Sequence, residues 1–469
     1  MNNSHLVVIL RSLSKKEVRE LRKWLQSPVH NQREDVMNLF EYLINSKRLE
    51  KSNLLQKEKV FRKIFPGEIY DDAKLRQSMY FLLKAVEEFL VYSEMEEDKV
   101  RQRTVLASVY RKRKLDKAFQ RTFRQIEALQ AQTNFQDESH LRNEYLLQRE
   151  EYLFWEDRRQ YARMNVQGVS DALDYTFLAD KLRQSCLILA YQNYYKSELN
   201  IGLIDEVLDY IAVKEIFHIP SIAIYYHVYQ AFSSDDSEIH FRNLRAAISQ
   251  YGHLFPHREI RDIYLMAINY CIRKINQGER LFIQESFNMY KAGFEKKYLI
   301  ENNQISNFTF MNAVASSLGL NEYGWTNHFI EHYQQFLEPK HRSNTVDYCQ
   351  ARLYFEQKEY GKAMRLLAQV EFNEVIINIR AKAMLLKMYY ELSEDDALDA
   401  LLESMRTYIN RKKILGYHKT TFTNLIRLTK KLIRINPFDA KQREKLRTEI
   451  LSTNPLTERE WLLEQLNEL

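Results

Sequence analysis

The stretch His328-Phe-Ile-Glu-His332 places two imidazoles four residues apart with a carboxylate beside the second. On a helix, residues at i and i+4 share a face, so His328 and His332 can ligate one metal ion while Glu331 acts as general base. That chemistry also needs a third protein ligand and a dry, shaped cavity. No second motif in the chain supplies one. The same stretch reads equally as a packing helix, with Ile330 and Tyr333 turned inward and both histidines turned to solvent. Packing is the expectation, and a metal site at His328, Glu331 and His332 is the alternative.

Two basic segments offer a different chemistry. Arg111, Lys112, Arg113 and Lys114 crowd one predicted hairpin, and the chain from Arg411 to Arg434 holds eight Lys/Arg and no acid. Within it Arg427, Lys430, Lys431 and Arg434 follow helical spacing, opposite Phe422, Leu425 and Leu432. Such stripes neutralise phosphates without reading sequence. Residues 1–125 contain 27 Lys/Arg against 17 Asp/Glu, a balance of +10, and the remainder sits near −4. No helix-turn-helix or other nucleic-acid motif accompanies them, and the long helix expected after Asp72 turns acidic at Glu87, Glu88 and Glu94. Solvated faces are expected, with nucleic-acid binding through 1–125 and 411–434 as the alternative. The 30 Tyr and 25 Phe would stack bases if exposed, but at helical spacing they are expected to fill helix interfaces.

Composition narrows the classes further. Only ten glycines occur and each stands alone, so no phosphate-cradling loop or dinucleotide fingerprint can be built. Cys186, Cys271 and Cys349 are far apart with no CxxC spacing, which argues against a disulfide framework and a zinc knuckle. "MNNSHLVVILRSLSKKE" has five consecutive apolar residues and no preceding positive charge, unlike a secretory signal. No apolar run approaches the ~18 residues of a membrane span. The expectation is a soluble, reduced, cytoplasmic protein without a cofactor and without a membrane partner.

Scarce Gly and Pro with 45% hydrophobic residues favour long helices. Ser14 and Glu17 have capping-box spacing before Val18, Leu21 and Leu25, and Pro28 ends that helix. Two further amphipathic stretches lead to Pro66-Gly67, and Asp71 or Asp72 caps a long helix. Residues 1–97 are therefore expected to form an N-terminal helical domain. From Val100 onward helix pairs are expected, the first turning near Lys114–Asp116 and others spanning about 137–196, 203–233, 238–276 and 279–317. A C-terminal cap is expected at 435–469, where Thr457 and Glu460 have capping-box spacing and Trp461 can cover the last apolar face.

Self-similarity supplies the ruler. Ala363 and Ala397, Leu367 and Leu401, Ala351 and Leu385, and Tyr354 and Met388 all lie 34 residues apart. This period, with Ala351 and Tyr354 in one helix and Ala363, Leu367 and Val370 in the next, resembles the tetratricopeptide repeat. The likeness is good over 344–371, partial over 378–405 and weak over 307–334. The tripeptide Glu-Tyr-Gly recurs at 322–324 and 359–361, 37 residues apart. It is expected at the turn inside each hairpin, with Gly324 and Gly361 permitting close helix approach and about three extra residues in an "EPKHRSN" loop.

The resemblance implies an all-α protein whose residues 98–434 form a superhelical solenoid of hairpins. It also implies a non-enzymatic scaffold or adaptor that holds a protein or an acidic peptide on its concave face. The positions that line that face in the family correspond here to Asn312, Tyr348, Arg352 and Lys382. Separately, the N-terminal run resembles the start of a group of Bacteroidota helical-repeat proteins, a likeness that implies no function. The His328–His332 stretch is similar to the zinc motif of inverzincin metallopeptidases, which the alternative reading of that site would require.

Overall fold

The capping box expected at Ser14 forms in the computed structural model of the chain. Ser14 Oγ accepts from the Glu17 N–H at 3.2 Å, and Glu17 Oε2 accepts from the Ser14 N–H at 2.6 Å. The structure describes residues 1–44, 49, 52–132, 134–195, 198–368, 375–411 and 416–469. Among these the chain is all-α, and the only β pairing is two isolated bridges, Glu301 with Gln304 and Ile305 with Leu337. It divides into two compact units, Met1–Lys181 and Leu182–Leu469.

The first unit begins with α1 (His5–Ser12), α2 (Lys15–Gln26), α3 (Glu34–Ile44), α4 (Lys57–Ile64) and α5 (Asp72–Glu97). Asp71 caps α5 by accepting from the Ala73 and Lys74 N–H groups. Leu6, Leu21, Leu39, Phe61 and Leu82, one from each helix, belong to one buried cluster. Next come α6 (Lys99–Lys112), α7 (Asp116–Gln132) and α8 (Glu138–Asp157). They share a second cluster in which the Phe119 and Phe154 rings stack at 4.1 Å. The boundary between units falls within α9 (Val166–Tyr195).

The second unit continues with α10 (Ile204–Lys214), α11 (Pro220–Ser233), α12 (Ser237–Tyr251), α13 (His257–Asn276), α14 (Leu281–Glu295), α15 (Asn307–Leu318) and α16 (Tyr323–Tyr333). It ends with α17 (Pro339–Glu356), α18 (Tyr360–Leu367), α19 (Val375–Glu391), α20 (Asp395–Arg411), α21 (Gly416–Arg434), α22 (Ala440–Ser452) and α23 (Arg459–Glu468). The extensive pairings are α11 with α12, α13 with α14, α17 with α18 and α19 with α20, while α11, α15 and α17 also pack on α13, α17 and α19 respectively. The expected hairpins over 203–317 were thus one helix out of step. Proline and glycine mark the ends of helices, not which neighbour each helix packs against.

The hairpin turns share a device that the sequence did not advertise. Asn321, Lys358 and Ser393 adopt φ of 60°, 60° and 56°. The following N–H then returns to a carbonyl five residues back: Glu322 to Ser317, Glu359 to Tyr354 and Glu394 to Tyr389. This is the left-handed helix stop usually occupied by glycine. Lys114, Arg159 and Glu215 do the same.

Three local expectations are corrected. A Cβ on Gly324 or Gly361 would meet nothing within 4 Å, so close helix approach does not require either glycine. The tyrosine is the residue engaged at this turn: the Tyr323 hydroxyl donates to Asn321 Oδ1 at 2.9 Å and lies 3.5 Å from the Glu356 carbonyl, and the Tyr360 hydroxyl donates to Glu391. Glu356 and Glu391 end α17 and α19, so each tyrosine ties its turn to the end of the next long helix. The extra residues of "EPKHRSN" lengthen α17, with Pro339 as its first residue, where a missing N–H costs nothing. Finally, the box at Thr457 does not form. Glu458 precedes α23 in the left-handed region, φ 54°, without a side-chain cap among the described residues.

At the C-terminal end, Leu386, Leu402, Leu425, Ile450 and Trp461 share one buried cluster that runs across residues 434 and 435. Ala351, Ala363 and Leu367 are buried, as the repeat pattern requires, whereas Val370 lies outside the described residues.

Candidate functional site

Helix α16 sets the fate of the histidine pair. Phe329 and Ile330 are fully buried and Tyr333 is half-buried, which turns His328, Glu331 and His332 outward. The two imidazoles stack in parallel at 5.6 Å, and Glu331 accepts a hydrogen bond from Asn327 at 2.8 Å. No group of three or more His, Cys, Asp or Glu among the described residues could hold a metal ion. The cysteines are free and buried, and burial raises each thiol, Cys349 to about 12, so none is poised as a thiolate.

The basic residues divide by partner. Arg111 is 9% exposed and donates to Glu150 at 2.9 Å and Asp157 at 2.8 Å, tying α6 to α8 instead of facing solvent. Lys112, Arg113 and Lys114 are exposed. On α21, Arg427 and Lys431 both donate to Glu449 of α22, the latter at 2.6 Å, and Lys430 donates to Glu403 of α20. The Lys431 ammonium, against an opposing cost of burial and with further help from Arg427, lowers the pKa of the Glu449 carboxyl. Arg434 is exposed, and Lys412 and Lys413 lie outside the described residues.

The four residues carried over from the repeat family sit on α15, α17 and α19 and differ in exposure. Tyr348 is buried, 5% exposed, with Arg352 one turn further along α17. Asn312 on α15 is half-buried and hydrogen-bonded to the Tyr290 side chain. Lys382 on α19 reaches Ser404 Oγ at 3.4 Å. None of the four lines the clefts described next.

Those clefts involve α9, α11, α13, α15, α17 and α19, and the third is also lined by α18 and α23. An apolar cleft of about 540 Å³ lies among α9, α11 and α13, lined by Leu189, Val228, Phe232 and Met266. A polar one of similar size, about 540 Å³, involves α13, α15 and α17, with Arg261, Asn307, Phe308 and His341. The third, about 770 Å³, opens between α17, α19 and α23.

The third cleft has the most developed chemistry. Glu391 accepts from Trp461 Nε1 at 2.8 Å and from the Tyr360 hydroxyl. Lys387 donates to Glu458 Oε2 at 2.8 Å, and its ammonium lies 4.8 Å from the Phe355 ring centre and 6.0 Å from that of Trp461. Glu356 is exposed by area, yet enough protein surrounds its carboxyl that burial raises its pKa. Lys387 and Arg352 pull it down, and Glu458 and Glu391 push it up.

Sequence reasoning passed over this cleft. Lys387 and Glu458 are 71 residues apart, and the only hint was an acidic, Trp-containing C-terminal helix. No protein-family model, curated protein or solved structure matches the chain.

Proposed function

We propose that the second unit is a tetratricopeptide-like solenoid and that the protein is a non-enzymatic scaffold that binds a polypeptide along its alternate helices. The observation that carries this reading is the succession of clefts on α9, α11, α13, α15, α17 and α19. A stack of hairpins repeats one helix face along its length, and such faces take extended ligands. The packing of alternate helices, α11 on α13, α15 on α17 and α17 on α19, supports the same reading. Three of the four expected α21 cations already have carboxylate partners, which favours a polypeptide over nucleic acid as the ligand. No helix among the described residues is long and apolar enough to cross a membrane, and the buried free thiols suit a reducing compartment such as the cytoplasm.

Photo-crosslinking inside the producing cell tests this. A photoreactive residue at Asn269 or Phe308, on cleft-forming α13 and α15, is expected to give discrete protein adducts. The same residue at exposed Asn243 or Lys291, on α12 and α14, is expected to give none. Equal adducts from both sets, or adducts to nucleic acid alone, would overturn the reading.

A further inference from the structure

The cleft between α17, α19 and α23 already holds one cation, the protein's own. Lys387 has a side chain only 15% exposed, between the carboxylate of Glu458 and the faces of Phe355 and Trp461. Partial drying strengthens both the ion pair and the cation–π attraction relative to open surface. The walls therefore suit an alkyl-ammonium or guanidinium group.

That lysine is outnumbered. Glu356, Glu391, Glu458, Glu460, Glu464 and Glu468 line the cleft against Lys358, Lys387 and Arg459, a local balance of −3. Their commitments differ. Glu391 is held by the neutral donors of Tyr360 and Trp461, and Glu460 pairs with Arg280. The carboxylates of Glu356 and Glu464 make no hydrogen bond or ion pair among the described residues, and both residues line the cleft. The carboxylates are spread over three helices and do not converge as metal ligands. An organic cation with an apolar stem fits the aromatic walls better than a hard metal ion, which requires converging oxygens.

We infer that this cleft receives a lysine or arginine side chain from a basic segment of a partner polypeptide, which enters beside Lys387 and pairs with Glu356 and Glu464. The aromatic wall of Phe355 and Tyr360, whose rings stack at 5.6 Å, would carry the aliphatic stem. At about 770 Å³ and open to solvent, the cleft has room for one such side chain with its flanking backbone. This rests on the polypeptide-binding reading above and reverses its expected charge preference: the partner segment is basic here, not acidic.

The test uses the full chain and a fluorescein-labelled Lys-Arg-Lys-Arg-Lys peptide, followed by anisotropy, with a Glu pentapeptide as the opposite-charge probe. Binding of the basic peptide is expected. It should weaken about tenfold or more in a Glu356→Gln, Glu464→Gln double variant and stay unchanged in Glu403→Gln, a carboxylate outside the cleft. Both replaced side chains are exposed, so the fold is expected to survive, as circular dichroism would verify. Equal affinity in the double variant and the parent overturns the proposal, as does absence of basic-peptide binding or binding of the Glu peptide. If the cleft fails while Asn269 and Phe308 still yield adducts, only this inference falls. If the adducts fail too, the parent reading falls with it.

Discussion

On α21, two cations converge on Glu449 and a third reaches Glu403, whereas between α17, α19 and α23 six glutamates line a cleft with three cations. Both regions are built from Lys, Arg and Glu at helical spacing. In the first, the neighbouring helices return the opposite charge to three of the four cations. In the second, α23 adds more of the same charge, and the Glu356 and Glu464 carboxylates have no ion pair among the described residues. A run of like charge on one helix therefore says little about binding until the facing helices are known.

The contrast can be broken most severely at Trp461. It is 6% exposed and belongs both to the C-terminal core and to the cleft wall. Trp461→Ala should cost about 3–5 kcal/mol in chemical denaturation through the cavity left behind, and should abolish basic-peptide binding. Trp461→Phe should keep most of the stability but leave Glu391 short of a donor. An equal loss from both variants would mean the indole N–H, rather than the ring's bulk, dominates.

Among the described residues, Lys387→Met removes the one cleft-lining cation paired with a cleft carboxylate. The expected loss is about 1–2 kcal/mol, because Glu458 and its neighbours would face each other without a counterion, although water reaches Glu458. The variant should also bind the basic peptide more tightly, since the incoming cation no longer competes with a resident one. Weaker binding would show that Lys387 shapes the site instead of occupying it.

Glu449→Gln opens the paired region. Stability should change by no more than about 1 kcal/mol, as for exposed ion pairs. Freed Arg427 and Lys431 should lengthen retention on heparin and steepen the salt dependence of random-DNA binding by about one to two in log–log slope. Unchanged retention would mean that α21 is not accessible to polyanions even when unpaired.

The smallest effect is a difference of sign with pH. Glu449 has a lowered pKa, so the stability it contributes is present above its unfolded value of 4.5 and is lost as pH falls below that. Glu356 has a raised pKa, so its ionised form opposes folding at neutral pH. That penalty is relieved as pH falls through its folded pKa toward 4.5. Glu356→Gln should therefore stabilise slightly at pH 7 and lose that effect as pH falls toward 4.5, while Glu449→Gln should destabilise at pH 7 and lose that effect only as pH falls through the lowered pKa of Glu449. Matching pH profiles for the two variants would remove the distinction.

Much of the architecture was legible locally. The Ser14 box, the Asp71 cap, the turn at Lys114 and the buried Ala351, Ala363 and Leu367 all follow from short-range rules. The turn chemistry was only half legible, because a left-handed stop occupied by Lys358 or Ser393 has no residue signature. The nearby Gly361 drew attention to a position that needs no glycine. The hairpin phase between 203 and 317 was misread for a related reason: each helix has one apolar stripe for two neighbours, and the stripe does not record which neighbour takes more of it. The cleft was not legible, since Lys387, Glu391 and Glu458 meet only after α23 has packed beside α19.

By itself the sequence determined the helices, because caps and 3.6-residue periodicity act within a few residues along the chain. It also determined which side of α16 carries His328 and His332, because Phe329 and Ile330 leave the histidines no inward position. Tertiary structure alone decided which charges are cancelled and which are left over. Pairing energies depend on distances of a few ångströms between side chains, and those distances are set by helices far apart in sequence.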